Sequence, residues 1–298
     1  MICISDHIKC LYNIIDLLAG ISALNTHGKS FTALEAVTIP VVAQCIESRH
    51  PGMLFQSIKY AFICNSSKSM LEKISDILTV VSIHTYINLA CTQILSEPIT
   101  LARILGISCM CMLIQLAFPA TISTNWRRKV FHVCIFFVFY RQERLSFVLA
   151  EGLLLITAVL SSSHCINVHL MLFLSNNDRG ATIASHAYLL AACVYPRLFV
   201  KDEEYVCSLI SICFLDTAAS VVGQLLGKKS KSVHGMVSGI LLALVVYFIL
   251  YGNHSRMVYF VLIGLAEYLV PINDNISIPV LSVLYFRYMR FNSSSTLL

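Results

Sequence analysis

Long apolar runs recur along the chain, separated by short breaks that carry Asn, Asp, Gly, Pro or clustered cations. A membrane-spanning helix needs about 20 mainly apolar residues, and fewer where polar groups are buried inside a bundle. The pattern predicts helices near 8–24, 32–46, 52–64, 76–96, 99–121, 145–161, 181–199, 205–227, 236–252, 256–272 and 276–290. Two other apolar runs, 130–140 and 165–175, are short. Each rises only about 16 Å, half of a roughly 30 Å hydrocarbon core, so re-entrant geometry or support from neighbouring helices is expected there. The expected fold class is all-α: a polytopic integral membrane helix bundle of about 10–13 hydrophobic helices.

Composition points the same way. Of 298 residues, 57% are hydrophobic and 12% charged, whereas soluble domains carry about a quarter charged residues. So few charges cannot cover a water-exposed core, and disordered, collagen-like and small disulfide-rich classes are excluded as well. The 21 Lys+Arg exceed the 16 Asp+Glu by five. That modest excess suits membrane orientation and anionic ligands, not nucleic acid, since no long basic tail exists to follow a duplex. The 12 cysteines fall mostly inside apolar runs, as at Cys109, Cys111, Cys134, Cys193 and Cys213, with no CxxC pair at metal spacing. They read as small buried hydrophobes. Asp6 and Lys9 break the first apolar stretch, so a cleaved signal peptide is not expected. No fixed-period repeat is present, and Ser293–Ser295 reads as a frayed end.

The distribution of polar residues divides the chain. Residues 1–125 hold few polar groups inside their apolar segments, which predicts accessory or lipid-facing N-terminal membrane helices. Within 126–298, Arg, Lys, Asp and His stand beside or inside the hydrophobic runs, so a catalytic membrane domain is expected there.

Four constellations carry candidate chemistry. In Arg127-Arg128-Lys129-Val130-Phe131-His132, helical spacing puts Arg128 and Lys129 on the face of His132, where a bound anion could meet all three; a positive-inside anchor is the plainer reading. Asn177-Asp178-Arg179-Gly180 has the composition of a loop, yet His186 follows about two turns into a membrane segment, where ionisable groups are costly. The third is the strongest. Asp216 lies inside a hydrophobic span, with Ser220, Gly223 and Gly227 following on the same face, a stripe along which a helix or ligand could approach closely. Lys228, Lys229, Lys231, His234 and Gly235 come next, a loop suited to polyphosphate: ammonium groups neutralise charge and glycines let backbone N–H groups close on oxygens. Only three residues separate Gly223 from Gly227, and the segment follows a membrane helix, so it is not a Walker A loop. In the fourth, Pro271 and Pro279 flank Asn273-Asp274-Asn275, where unwinding around polar side chains is expected, with Glu267 in the helix before.

Two helices separate the lysine loop from Asp274, placing both on one side of the membrane, and counting backwards brings Asp178 and Arg179 to that side. The lysines mark it as cytoplasmic. Carboxylates near a polyphosphate-binding loop supply what a Mg²⁺-nucleotide needs: hard oxygen ligands for the ion and cations for the phosphates.

These blocks resemble the polyprenol kinases, and the dolichol kinases most closely. The resemblance rests on RKVFH (Arg128–His132), NDRGATIASHAYLL (Asn177–Leu190) with Pro196 after it, LDTAASVVGQLLGKKSKSVHG (Leu215–Gly235) and EYLVPINDNISIP (Glu267–Pro279), in that order across about 127–290. His234 stands where many relatives carry an acidic residue before the glycine. The resemblance implies transfer of the γ-phosphoryl group of CTP to the hydroxyl of dolichol or a related polyprenol, on the cytoplasmic side of the endoplasmic reticulum membrane. Dolichyl phosphate for protein glycosylation would be the product. Asp216 and Asp274 are then the expected ligands of Mg²⁺ or another divalent cation. Asp178, His132 or His186 would accept the alcohol's proton. Arg128, Lys129, Arg179, Gly223, Gly227, Gly235, Asn275 and Lys228, Lys229 and Lys231 of a CTP-binding loop at 228–235 would hold the nucleotide. No obligate protein partner is evident. Two other classes share these features: a cytidylyltransferase or kinase acting on another lipid, and a transporter using the buried charges as an ion path.

Overall fold

A computed structural model describes residues 83–117, 124–160, 185–200, 202–228 and 230–295. Among these the chain is all-helical, with nine helices. They are α1 (Ile83–Ser96), α2 (Pro98–Ala117), α3 (Thr124–Phe139), α4 (Arg144–Leu160), α5 (Ser185–Val194), α6 (Asp202–Leu225), α7 (Val233–Tyr251), α8 (Met257–Leu269) and α9 (Asp274–Ser295). Helices α2, α6 and α7 are long and apolar enough to cross a membrane, which agrees with the integral-membrane expectation. The helices expected at 8–24, 32–46, 52–64 and 165–175 lie outside the described residues. The chain divides into two compact units, Met1–Leu89 with Glu151–Ala187, and Ala90–Ala150 with Tyr188–Leu298. The candidate site residues whose side chains are described belong to the second.

Helix α6 forms the axis of that unit, and residues Tyr205–Cys213 and Leu215 are buried. It is not regular. Over Ser211–Leu215 it widens into a π turn, and the Asp216 N–H bonds the Ser211 carbonyl five residues back. Such bulges frequently occur at functional sites. Ser211 Oγ donates to the Cys207 carbonyl (3.1 Å) and lies 3.1 Å from Tyr259 Oη, which is 2.7 Å from Ser282 Oγ. This buried chain ties α6 to α8 and α9 at the widened turn.

Helix α7 crosses α6 with almost no space between backbones. A Cβ on Gly235 would stand 2.5 Å from the Ala219 carbonyl oxygen, and one on Gly239 would stand 2.7 Å from that of Leu215. The close approach expected along the Ser220–Gly223–Gly227 stripe is therefore made by glycines of the other helix against Leu215 and Ala219. Gly227 instead ends α6. At φ 69° it follows the last turn, its N–H bonding Gln224 O and that of Lys228 bonding Gly223 O. That is a Schellman ending, and it needs the left-handed conformation that glycine adopts without strain. Ser232 then caps α7, its Oγ accepting from Gly235 N at 3.1 Å.

Three expectations are corrected. The run at 130–140 starts earlier, at Thr124, giving a 16-residue helix whose first two turns carry Arg127–Lys129. The break around Asn273 ends before Pro279, which sits inside α9. Asn273 is the reason: its Oδ1 accepts from Asn275 N at 3.0 Å, and its carbonyl accepts from Ile276 and Ser277, so the helix starts at Asp274. Cys109 is exposed on α2 while Cys111, Cys134, Cys193 and Cys213 are buried; the exterior of α2 is that of a candidate span, where lipid would replace protein.

Candidate functional site

Two ion pairs form the centre of the site. Helix α3 presents Lys129 and His132 on one face, three residues apart, and the π turn of α6 delivers Asp216 between them. Lys129 Nζ donates to Asp216 Oδ2 at 2.7 Å, and His132 Nδ1 lies 3.4 Å from the same oxygen. All three are buried, at 9%, 2% and 5% exposure. His132 Nδ1 is also 3.1 Å from the Ile212 carbonyl, which can only accept, so Nδ1 carries the proton. The anion that Lys129 and His132 meet in this structure is thus a carboxylate of the chain itself. Arg128, half-buried on the same helix, faces Asp216 electrostatically.

The second pair closes the loop after α6. Lys231 Nζ donates to Asp274 Oδ1 at 2.6 Å and lies 3.3 Å from Glu267 Oε1. It also donates to the backbone carbonyls of Glu267 and Val270, the latter at 3.3 Å. Those carbonyls stand at the C-terminal end of α8, where cations are favoured, and Asp274 opens α9, where an anion is favoured. Lysine and aspartate, 43 residues apart, thus meet at one end of α7, α8 and α9. Their common side was expected from counting spans.

Electrostatics couples the two pairs. Burial pushes the Asp274 carboxyl up, the negative charges of Asp216 and Glu267 add to this, and Lys231 pulls it down, leaving it at about 7 against an ordinary 3.8. Burial alone would lower the Lys231 ammonium, but the Asp274 and Glu267 carboxylates outweigh it and hold it above its usual value. A quarter of the Asp274 side chain remains exposed.

Of the remaining expected residues, Lys228 is exposed and Gly223 would place a Cβ 3.7 Å from Ser232 Oγ, an ordinary contact. Asn275 is 7% exposed and its Oδ1 has no hydrogen-bond partner. Gly227 ends α6 and Gly235 lets α7 cross it, so both shape the backbone around the site. Asp178, Arg179, Lys229 and the side chain of His186 lie outside the described residues. Glu267, which the sequence singled out as a carboxylate inside an apolar helix without giving it a role, is 6% exposed and stands against Lys231. Asn125 is the addition, donating to Ser220 Oγ at 2.8 Å one turn beyond Asp216.

Among the described residues no group of three or more His, Cys, Asp and Glu side chains stands ready to hold a metal unaided. A pair of carboxylates does suit Mg²⁺, which takes one or two from protein and the rest from phosphates and water. The donor set therefore fits the ion with water and phosphate oxygens completing its shell. No protein-family model, curated protein or solved structure matches the chain.

Proposed function

We propose that the protein is a CTP-dependent lipid kinase that phosphorylates a polyprenol, dolichol being the expected acceptor, at the cytoplasmic face of the endoplasmic reticulum membrane. One observation carries the reading: residues from three separate sequence blocks, Lys129 with His132, Asp216 with Lys231, and Glu267 with Asp274, form two ion-paired groups near enough for the charge of Asp216 to act on Asp274. The preference for CTP, the lipid and the organelle come from the resemblance of those blocks to the polyprenol kinases.

Phosphoryl transfer asks a protein mainly for positioning and charge stabilisation. The lipid oxygen forms a bond to the γ-phosphorus, the bond from that phosphorus to the β,γ-bridging oxygen breaks, CDP leaves, and the hydroxyl proton passes to a base. Lys228, Lys229 and Lys231 bring mobile ammonium groups to the phosphates from the loop joining α6 to α7. Asp216 and Asp274 would hold the divalent ion, with Glu267 beside them; when bound, that ion neutralises phosphate charge and polarises the γ-phosphoryl group. Lys129 and His132 fix the orientation of Asp216. That engagement makes both of them positioning groups for the carboxylate.

The test is purified full-length protein with dolichol, Mg²⁺ and each γ-labelled nucleotide, followed by lipid extraction. Label in the lipid from CTP, with release of CDP, is expected. Pyrophosphate release with α-label in the lipid would make it a cytidylyltransferase, and ion flux in proteoliposomes without transfer would make it a transporter.

A further inference from the structure

Across the two coupled ion-paired groups, three carboxylates, Asp216, Glu267 and Asp274, are matched by two ammonium groups, Lys129 and Lys231, with Arg128 adding charge from the half-buried face of α3. Lys129 is committed. It and Asp216 share a 2.7 Å contact in a buried setting, and removing either would strand a charge. Lys231 differs in every respect. It comes from a loop, its side chain is 31% exposed, and its single ammonium serves two carboxylates and two carbonyl oxygens from the end of α8 and the start of α9. Beside Asp274, Asn275 buries an Oδ1 that lacks a hydrogen-bond partner, which a bound group would satisfy.

We infer that Lys231 is a tethered counter-ion, holding the place between Glu267 and Asp274 that a divalent cation takes when the lysine moves out to an incoming triphosphate. The inference rests on the nucleotide-binding reading of its loop. Once the ammonium leaves for phosphate, Glu267 and Asp274 face each other without a cation, and like charges in a partly desolvated site repel strongly. A divalent ion cancels both. Triphosphate and cation uptake are therefore coupled through one side chain, each being unfavourable without the other. Lysine suits this exchange better than arginine, because a compact ammonium on a flexible stem changes partners, whereas a planar guanidinium fixes them. Glu267 becomes a cation ligand alongside Asp274.

The test uses the full-length protein in nanodiscs, with Mn²⁺ as probe and neither nucleotide nor lipid substrate present. Binding is read by electron paramagnetic resonance for the wild type, Lys231→Met and Lys231→Gln. Both variants should bind one Mn²⁺ about tenfold or more tighter than the wild type, and the gain should vanish when Glu267→Gln or Asp274→Asn is added. Gln retains amide donors for the Glu267 and Val270 carbonyls, so it reports even if Met destabilises the loop. Unchanged Mn²⁺ affinity in the folded variants, or a gain that survives both second substitutions, overturns the inference and makes Lys231 a fixed cap of α8. Because no CTP or lipid enters this measurement, its failure leaves the kinase reading to the label-transfer assay, and failure of that assay leaves the Mn²⁺ result standing.

Discussion

At the residue scale, the Lys129–Asp216 pair is buried and Asp216 accepts from Lys129 with His132 close by, so its two halves are not interchangeable with neutral residues one at a time. Breaking a buried pair from one side costs about 3–5 kcal/mol, whereas replacing both partners with apolar groups is often neutral. Lys129→Met and Asp216→Leu should each lower the melting temperature in detergent more than the double variant does. Additive losses would mean the two charges do not depend on each other. Asp216→Asn, which keeps the shape, should remove most transfer activity while the protein still inserts; near-normal turnover would free Asp216 from the metal assignment. Asp274 gives a pH dependence. Its carboxyl, raised to about 7 in the fold, retains a proton that the unfolded chain has released. Stability without added metal should thus fall as pH rises from about 4 through about 7, and Asp274→Asn should flatten that decline in thermal unfolding at pH 5 and pH 8. The sequence marked Asp216 as a carboxylate needing a partner and Lys129 as an anion-binding cation, but not that each answers the other. They are 87 residues apart, and helical periodicity says which face a residue occupies, not which helix lies against it.

At the element scale, the crossing of α6 and α7 depends on two glycines for a stated geometric reason. The atoms that a new Cβ would meet at Gly235 and Gly239 are backbone carbonyls, which cannot rotate away. At Gly264 the neighbour is the side chain of Ile240, which can change rotamer. Gly235→Ala and Gly239→Ala should each cost about 1–3 kcal/mol, the usual scale for overpacking, and Gly264→Ala less. Equal losses in a thermal-stability assay would contradict the distinction. The helices after residue 202 were legible because long apolar runs ended at Gly227, Gly252 and the Pro271 region, all of them breakers. The π turn at Ser211–Leu215 was not, since it depends on Tyr259 and Ser282 from other helices. Pro279 misled for the converse reason: a strong cap at Asn273 starts α9 ahead of it, and the helix continues through the proline.

At the scale of the whole molecule, the two pairs at the candidate site and the polar group at the far end of α7 define opposite ends of the bundle. Helix α7 is 19 residues long, about 28 Å at 1.5 Å per residue, close to the hydrocarbon thickness. Its first turn follows Lys231, and its last precedes Gly252, whose φ of 68° ends the helix. There Tyr247 Oη lies 2.9 Å from Glu203 Oε1 and 3.1 Å from Asn253 Oδ1, and Arg256 Nε donates to Glu203 at 2.6 Å. These groups sit too far from Lys231 to share its water if α7 spans the bilayer. In a background without other reactive thiols, cysteines at Ser230 and Pro271, both exposed, should be modified by an impermeant reagent from one side, and a cysteine at Asn253 from the other. Labelling of Ser230→Cys and Pro271→Cys from opposite sides would separate Lys231 from Asp274 by a membrane. The 2.6 Å contact between them, and with it a site serving one nucleotide, could not then exist.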